Sequence, residues 1–140
     1  MKRRVVLATG ATTLLAGCQG VLGSGSDYDI GMNQKSFDPD SIEVPVGTEV
    51  VWKNTSSRAH TITAYEAGIP DDAEYFASGG FDSEQAARNA WDDDGSGNLY
   101  GGETFSYTVD VPGTYEYFCI PHESSGMTGT ITATESSDSA

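Results

Sequence analysis

Basic residues, histidine and cysteine are all scarce in this chain. Its 140 residues hold seven Lys and Arg against 21 Asp and Glu, a formal net charge of −14, with only two His and two Cys. Such a charge excludes nucleic acid as a partner, because a phosphate backbone attracts basic proteins. The scarcity of His and Cys also means that nearly every imidazole and thiolate available to a metal site or a catalytic site can be named individually.

A long apolar run is missing as well, and the only apolar stretch near the start is short. Residues 2–4 are basic, residues 5–16 are mostly apolar, and L-A-G-C closes the segment at Cys18. This pattern predicts a secretory signal, too short to span a bilayer as a mature helix. The letters R-R-V-V-L from residue 3 also fit a twin-arginine signal. L-A-G-C resembles a lipobox, which predicts lipidation of Cys18; the alternative is an ordinary signal peptide that contains a cysteine.

These features divide the chain into four parts. We predict a signal peptide with lipobox over 1–17, a lipidated Cys and Gly/Ser linker over 18–27, one folded domain over 28–134, and a polar tail over 135–140. The protein would then lie at the outer face of the cell membrane, attached by lipid, and we expect a monomer. The twin-arginine route of export is left open.

Removal of the signal makes the charge more extreme. The mature chain keeps four basic residues against 21 acidic ones, a formal charge of −17. The acids are spread along the whole domain, which favours adaptation to high salt over electrostatic steering of a basic partner. At molar salt the Debye length is only about 3 Å, so steering over long distances is weak.

Short β-rich runs, separated by Gly and Pro, predict an all-β sandwich or barrel. The predicted strands are 41–46, 49–54, 61–64, 104–109, 114–119 and 127–134. The connection over 65–102 is long, and Ser83 is a candidate cap for a short helix over 83–91.

Alternation assigns faces to the strand that ends at Cys119. Tyr115, Tyr117 and Cys119 are predicted to point inward, whereas Glu116 and Phe118 point outward to a solvated face. A cysteine that is buried at the end of a strand is suitably placed to act as a metal ligand shielded from water.

An acidic loop follows the predicted helix. Asp92, Asp94, Ser96, Gly97 and Glu103 fall on positions 1, 3, 5, 6 and 12 of an EF-hand loop. The residues after Glu103 are predicted to form a strand rather than the exit helix of that motif, so an acidic surface loop is the favoured interpretation. Calcium binding by 92–103 is left open.

The letters C-I-P-H-E-S-S-G-M place a thiolate, an imidazole and a thioether close together, at Cys119, His122 and Met127. His60 supplies a second imidazole. Two His and one Cys with a weak axial Met are the ligands of a blue-copper electron-transfer site. Each residue singly is more often structural, and zinc is the alternative metal, although a thioether adds little to a zinc site.

The chain resembles a cupredoxin of the plastocyanin type, most closely the halocyanins, which are membrane-attached blue copper proteins of halophilic archaea. The resemblance runs from about Tyr28 to Thr134. The motifs that carry it are F-D-P-D-S-I-E-V from Phe37, G-T-E-V-V-W-K-N from Gly47, A-H at His60 and Y-E-Y-F-C-I-P-H from Tyr115.

The resemblance implies a Greek-key β-sandwich that carries single electrons between respiratory-chain partners on one type 1 copper ion. The implied ligands are His60, Cys119 and His122 in a plane, with Met127 axial. Many relatives have Asn where this chain has Thr61, whose N–H would donate to the copper-bound sulfur and whose hydroxyl would brace the ligand loop. The edge of His122 is the implied electron port, and Phe118 a possible second route.

The remaining functional classes are enzymes and copper stores. Two His are too few for a multicopper oxidase, and one thiolate in the ligand loop is too few for a Cu-A centre. With the imidazoles and the thiolate committed to copper, no obvious base or nucleophile is left for catalysis. A copper-storage or delivery protein remains the main alternative, and it would exchange Cu(I) readily instead of retaining copper through redox cycles.

Overall fold

The computed structural model describes residues 27–135, which form two β-sheets packed face to face. The predicted signal peptide, Cys18 and the residues after 135 lie outside the described residues. The strands are β1 (Ile30–Met32), β2 (Phe37–Asp38), β3 (Ser41–Pro45), β4 (Thr48–Asn54), β5 (Thr63–Ala64), β6 (Thr104–Val109), β7 (Gly113–Phe118) and β8 (Thr128–Thr134).

Each sheet has four strands. The first has the order β2-β1-β4-β6 and the second β3-β8-β7-β5. β1 pairs with β4 and β3 with β8 in parallel, whereas β4 with β6 and β7 with β8 are antiparallel. Successive parts of the chain contribute strands to one sheet and then to the other, which confirms the predicted β-sandwich. The six predicted strands are all present.

The core fills the space between the sheets. On β4 every second side chain, Val50, Trp52 and Asn54, is buried, as the two-residue period of a strand requires. Trp52 meets Tyr117 of β7 edge to face, with ring centroids 5.3 Å apart. Aromatic pairs in this geometry stabilise a core by about 0.5–1.5 kcal/mol beyond the burial of their area. The two sheets are therefore joined directly beneath the strand that leads to Cys119.

The long connection between β5 and β6 contains the helix α1 (Glu84–Asp94). The predicted cap is correct, since the Ser83 hydroxyl accepts a hydrogen bond from the Ala86 N–H at 3.1 Å. The helix ends at Asp94 rather than at Trp91, because Gly95 adopts the left-handed conformation and closes the last turn. A short 3-10 helix, Glu66–Gly68, precedes α1.

The acidic loop does not gather its carboxylates. Asp94 accepts hydrogen bonds from the main chain and hydroxyl of Ser96, and Glu103 accepts one from the Tyr100 N–H. Within residues 27–135 the one cluster with metal-ligand spacing lies elsewhere. None of the helices within residues 27–135 has the length and apolar character needed to span a membrane.

Candidate metal centre

Three predicted ligands meet at one end of the sandwich. The Cys119 Sγ lies 3.6 Å from Nδ1 of His60 and 3.3 Å from Nδ1 of His122. All three ligand atoms are within 4.8 Å of one another. Metal–sulfur and metal–nitrogen bonds of about 2.3 and 2.0 Å would separate the donors of a trigonal site by about 3.7 Å. The donors are therefore arranged as a metal ion requires.

The ligand loop runs from Cys119, at the end of β7, through a 3-10 helix (Ile120–Ser125) to Met127, just before β8. Main-chain hydrogen bonds close it: the Cys119 N–H donates to the Met127 carbonyl at 3.1 Å, and the Met127 N–H to the His122 carbonyl at 3.2 Å. Gly126 turns the chain with a φ of 91°, in the left-handed region that favours glycine. Cys119 and Met127 are both fully buried, and their main chains are hydrogen-bonded to each other.

The protonation states suit a metal ion. Burial lowers the pKa of His60, and neighbouring His122 lowers it further. Burial also lowers the pKa of His122, so both imidazoles are neutral ligands at neutral pH. Burial raises the pKa of the Cys119 thiol. A metal ion bound at this position would replace the thiol proton, because a coordinating thiol is deprotonated.

Thr61 links the segment that carries His60 with the segment that carries Cys119. Its N–H donates to the Cys119 Sγ at 3.4 Å, and its hydroxyl accepts from the Ile120 N–H at 2.8 Å. The structure thus contains both contacts expected of Thr61, one to the sulfur and one to the ligand loop.

His60 has a further set of contacts that sequence reasoning missed. Its Nε2 lies 3.2 Å from the Ser56 hydroxyl, and that hydroxyl lies 2.8 Å from Oδ1 of Asn54. The hydroxyl proton is directed at Asn54, so the Ser56 oxygen accepts from Nε2–H of His60 and leaves Nδ1 free for the metal. The signal was Asn54 itself, a polar residue on the buried face of β4.

Asn54 is fully buried and uses all of its polar atoms. Its amide nitrogen donates to the carbonyls of Arg58 and Leu99 at 2.6 and 2.8 Å, while Oδ1 accepts from the N–H and hydroxyl of Ser56. The His60 main chain bonds to Leu99 in both directions. His60 is therefore held by one contact of its ring, to Ser56, and by two main-chain hydrogen bonds to Leu99.

His122 is only partly buried, and its neighbours are charged. Its Nε2 lies 3.4 Å from Nη1 of the exposed Arg58, whose Nε donates to Oε1 of Gln34 at 3.0 Å. The outer edge of His122 is the part of the centre that meets the surface.

The residue after His122 is tied to α1. Glu123 accepts two hydrogen bonds from Arg88, at 2.8 and 3.1 Å, and one from the Tyr65 hydroxyl at 2.7 Å. Hydrogen bonding to Arg88 lowers the pKa of Glu123. Arg88 is also bonded to Glu84 on its own helix. The connection over 65–102 therefore braces the ligand loop from outside.

The same contacts correct the prediction for Phe118. Its face was expected to be solvated, which holds for Glu116, but Phe118 is 0% exposed. Tyr65 stacks on its ring at 4.3 Å, and the Arg88 guanidinium lies 4.4 Å from the ring centroid. Any electron route through Phe118 must continue through this cover, because the ring itself does not reach the surface.

Residues 25–134 match the model of the copper binding proteins, plastocyanin/azurin family. The chain belongs to this family. It is 34% identical over 96 residues to plastocyanin from Scenedesmus fuscus, an alignment that covers 69% of this chain and 84% of the relative. Copper, rather than zinc, is therefore the metal of the centre. The protein is a blue copper electron carrier and not an enzyme.

Solved structures agree on the fold. Oxidised plastocyanin from Dryopteris crassirhizoma is 27% identical, with a TM-score of 0.50, and the match covers 75% of this chain and 98% of that one. A purple cupredoxin from Nitrosopumilus maritimus is 24% identical, with a TM-score of 0.53 and coverage of 77% and 100%. These likenesses support the cupredoxin sandwich.

Proposed function

We propose that this protein is a halocyanin-type carrier, anchored by lipid to the outer face of the cell membrane of a halophilic archaeon. It carries single electrons between membrane redox proteins of a respiratory chain. His60, Cys119 and His122 would be the strong copper ligands and Met127 a weak one, and the copper would supply a one-electron couple.

The observation that supports this proposal best is the approach of two imidazole Nδ1 atoms to one buried sulfur, at 3.6 and 3.3 Å. A thiolate, two imidazoles and a nearby thioether form the donor set of a blue copper site. The chain supplies fixed positions for the donors, because Thr61, Ser56 and the main-chain bonds of the ligand loop restrain them. The ligands of a restrained site move little when an electron arrives, and this small rearrangement favours rapid electron transfer.

An absorption spectrum with matched variants tests the copper site. The oxidised protein should show an intense band near the red end of the visible spectrum, and Cys119→Ser should lose it while keeping the circular dichroism of a β-protein. The Cys18→Ser variant is the control and should stay blue. A protein that binds Cu(I) but exchanges it freely and never turns blue would instead be a copper store.

Attachment to the membrane is supported by the L-A-G-C sequence at Cys18 and by the Gly/Ser linker that follows. A single acyl chain gives only marginal attachment, so we expect a doubly alkylated anchor. The wild type should sediment with membranes until detergent is added, and Cys18→Ser should be released. An intact mass equal to that of the bare polypeptide would contradict this part of the proposal.

The halophilic source is supported by the mature formal charge of −17. So much charge of one sign destabilises a compact fold at low ionic strength, and salt screens the repulsion. The melting temperature should therefore rise from dilute buffer to molar KCl. A flat or falling melting temperature would argue against adaptation to salt.

A further inference from the structure

The basic residues of the domain fall into two groups. Lys53 lies 3.9 Å from a carboxylate oxygen of Asp27, and Arg88 forms ion pairs with Glu84 and Glu123. Lys35 and Arg58 are exposed and have no ion-pair partner among residues 27–135. In a chain so rich in carboxylates, two unpaired cations are unusual.

Both unpaired cations belong to loops at the copper end. The Arg58 guanidinium is 3.4 Å from Nε2 of His122 and is held by Gln34. Lys35 follows Gln34 in the turn between β1 and β2, a turn that Asn33 closes by accepting from the Lys35 and Ser36 N–H groups. Arg58 therefore lies directly against the one ligand that reaches the surface, and Lys35 lies in the turn whose Gln34 holds Arg58.

The facing nitrogen atoms of Arg58 and His122 also lack a hydrogen-bond acceptor. Nδ1 of His122 faces the sulfur and the metal position, so Nε2 carries the proton when the metal is bound. Nη1 of Arg58 is likewise only a donor. Two donors 3.4 Å apart cannot satisfy each other, whereas one carboxylate oxygen can accept from both.

We propose that Arg58 and His122, with Lys35 beside them, form the docking point for a redox protein that presents carboxylates around its own electron-transfer group. This inference rests on the proposed function of electron carriage. A basic partner would find carboxylates over most of this surface and would not be oriented by them. Among residues 27–135, Arg58 and Lys35 are the cations that no carboxylate of the chain already pairs, so they offer an acidic partner an attractive contact. At high salt only such contact-range attraction survives.

The first test locates an anion on the surface. Hexacyanochromate(III), a redox-inert paramagnetic anion, is added to the Cu(I) form of the full chain carrying Cys18→Ser, and NMR line broadening is followed. Amide signals of 34–36, 57–59 and 122–123 should broaden. Arg58→Gln should weaken the effect about twofold to fivefold, the size of one exposed charge contact.

Lys53→Gln is the matched control, because it removes the same charge from a lysine that is already paired. It should leave the broadening unchanged. Broadening spread over the surface, none at all, or equal losses in Arg58→Gln and Lys53→Gln would each overturn the docking point.

The second test uses electron transfer. Hexacyanoferrate(III) takes one electron from the Cu(I) protein and becomes hexacyanoferrate(II); Arg58→Gln should slow this step about twofold to fivefold at equal driving force. The cationic oxidant tris(phenanthroline)cobalt(III) should react no more slowly with that variant. A protein that does not cycle its copper would refute the proposed function, whereas normal cycling with no effect of Arg58 on the anionic oxidant would refute only this inference.

Discussion

The two histidines of the copper centre are held in opposite ways. His60 is 0% exposed, and its ring and main chain are bonded to two half-buried residues, Ser56 and Leu99. His122 is partly exposed and lies in a short 3-10 helix. That helix is steadied at the next residue by Glu123 and Arg88, whose side chains are each 31% exposed.

The difference separates two tasks. A buried ligand held by a satisfied polar network fixes one corner of the site permanently, because breaking such a network leaves polar groups unpaired in the core. A ligand at the surface must remain accessible to redox partners, so its restraint lies outside the copper site. One imidazole therefore anchors the metal, and the other connects it with solvent and partners.

The largest contrast should come from deleting each ring. His122→Gly opens a hole to solvent, so added imidazole should enter, bind copper and restore the blue band. His60→Gly leaves a hole closed from solvent, and imidazole should restore little or nothing. Absorption spectra at increasing imidazole concentration measure both. Equal rescue of the two variants would mean that the histidines do not differ in access.

A smaller effect, on the free energy of unfolding, should come from the buried side of the comparison. Asn54→Ala removes four hydrogen bonds made by a fully buried side chain, including those to the carbonyls of Arg58 and Leu99, which should cost about 2–4 kcal/mol in the copper-free protein. Guanidinium unfolding measures the loss.

Asn33→Ala is the matched control for that variant. Asn33 also accepts several hydrogen bonds, but it is exposed, so water replaces them. A loss of less than about 1 kcal/mol is expected. If the two substitutions cost the same, the buried network has no special role in holding His60.

The smallest effect should come from the exposed brace. Arg88→Met removes the two bonds to Glu123, and partial exposure limits the loss of unfolding free energy to about 1 kcal/mol or less. The local effect should be clearer: in copper-free protein, amide hydrogen exchange at Gly126 and Met127 should quicken, while exchange at His60 stays unchanged.

A double-mutant cycle with Glu123→Gln isolates the Arg88–Glu123 interaction. Arg88→Lys should rescue only in part, because lysine lacks the two-pronged geometry that Arg88 uses here. Exchange that quickens equally at His60 and in the ligand loop would show a general loosening rather than a brace on His122.

Local sequence patterns predicted much of this molecule. Alternation placed the strands, the short C-to-M segment supplied three donors, and Ser83 marked the start of α1. The prediction failed where contacts link distant segments. Phe118 was expected to meet solvent, and it is covered by Tyr65 and Arg88, which lie 53 and 30 residues away in sequence.

The hydrogen bonds around Asn54 and Glu123 escaped prediction for the same reason. Asn54 reaches Leu99 across 45 residues, and Arg88 reaches Glu123 across 35. The path of the 65–102 connection decides both contacts, and no periodicity in that segment reports its path. Composition and spacing can thus predict which residues are ligands. The contacts that hold each ligand in place depend on tertiary packing.

β8 follows every other described strand in the chain, yet it lies inside its sheet, between β3 and β7. Its pairing with β3 joins residues about 90 positions apart, from Ser41 with Thr130 to Pro45 with Thr134. Contacts of such long sequence separation form slowly. During synthesis, therefore, the second sheet cannot close until Thr134 has left the ribosome, and only then is the ligand loop held between two paired strands.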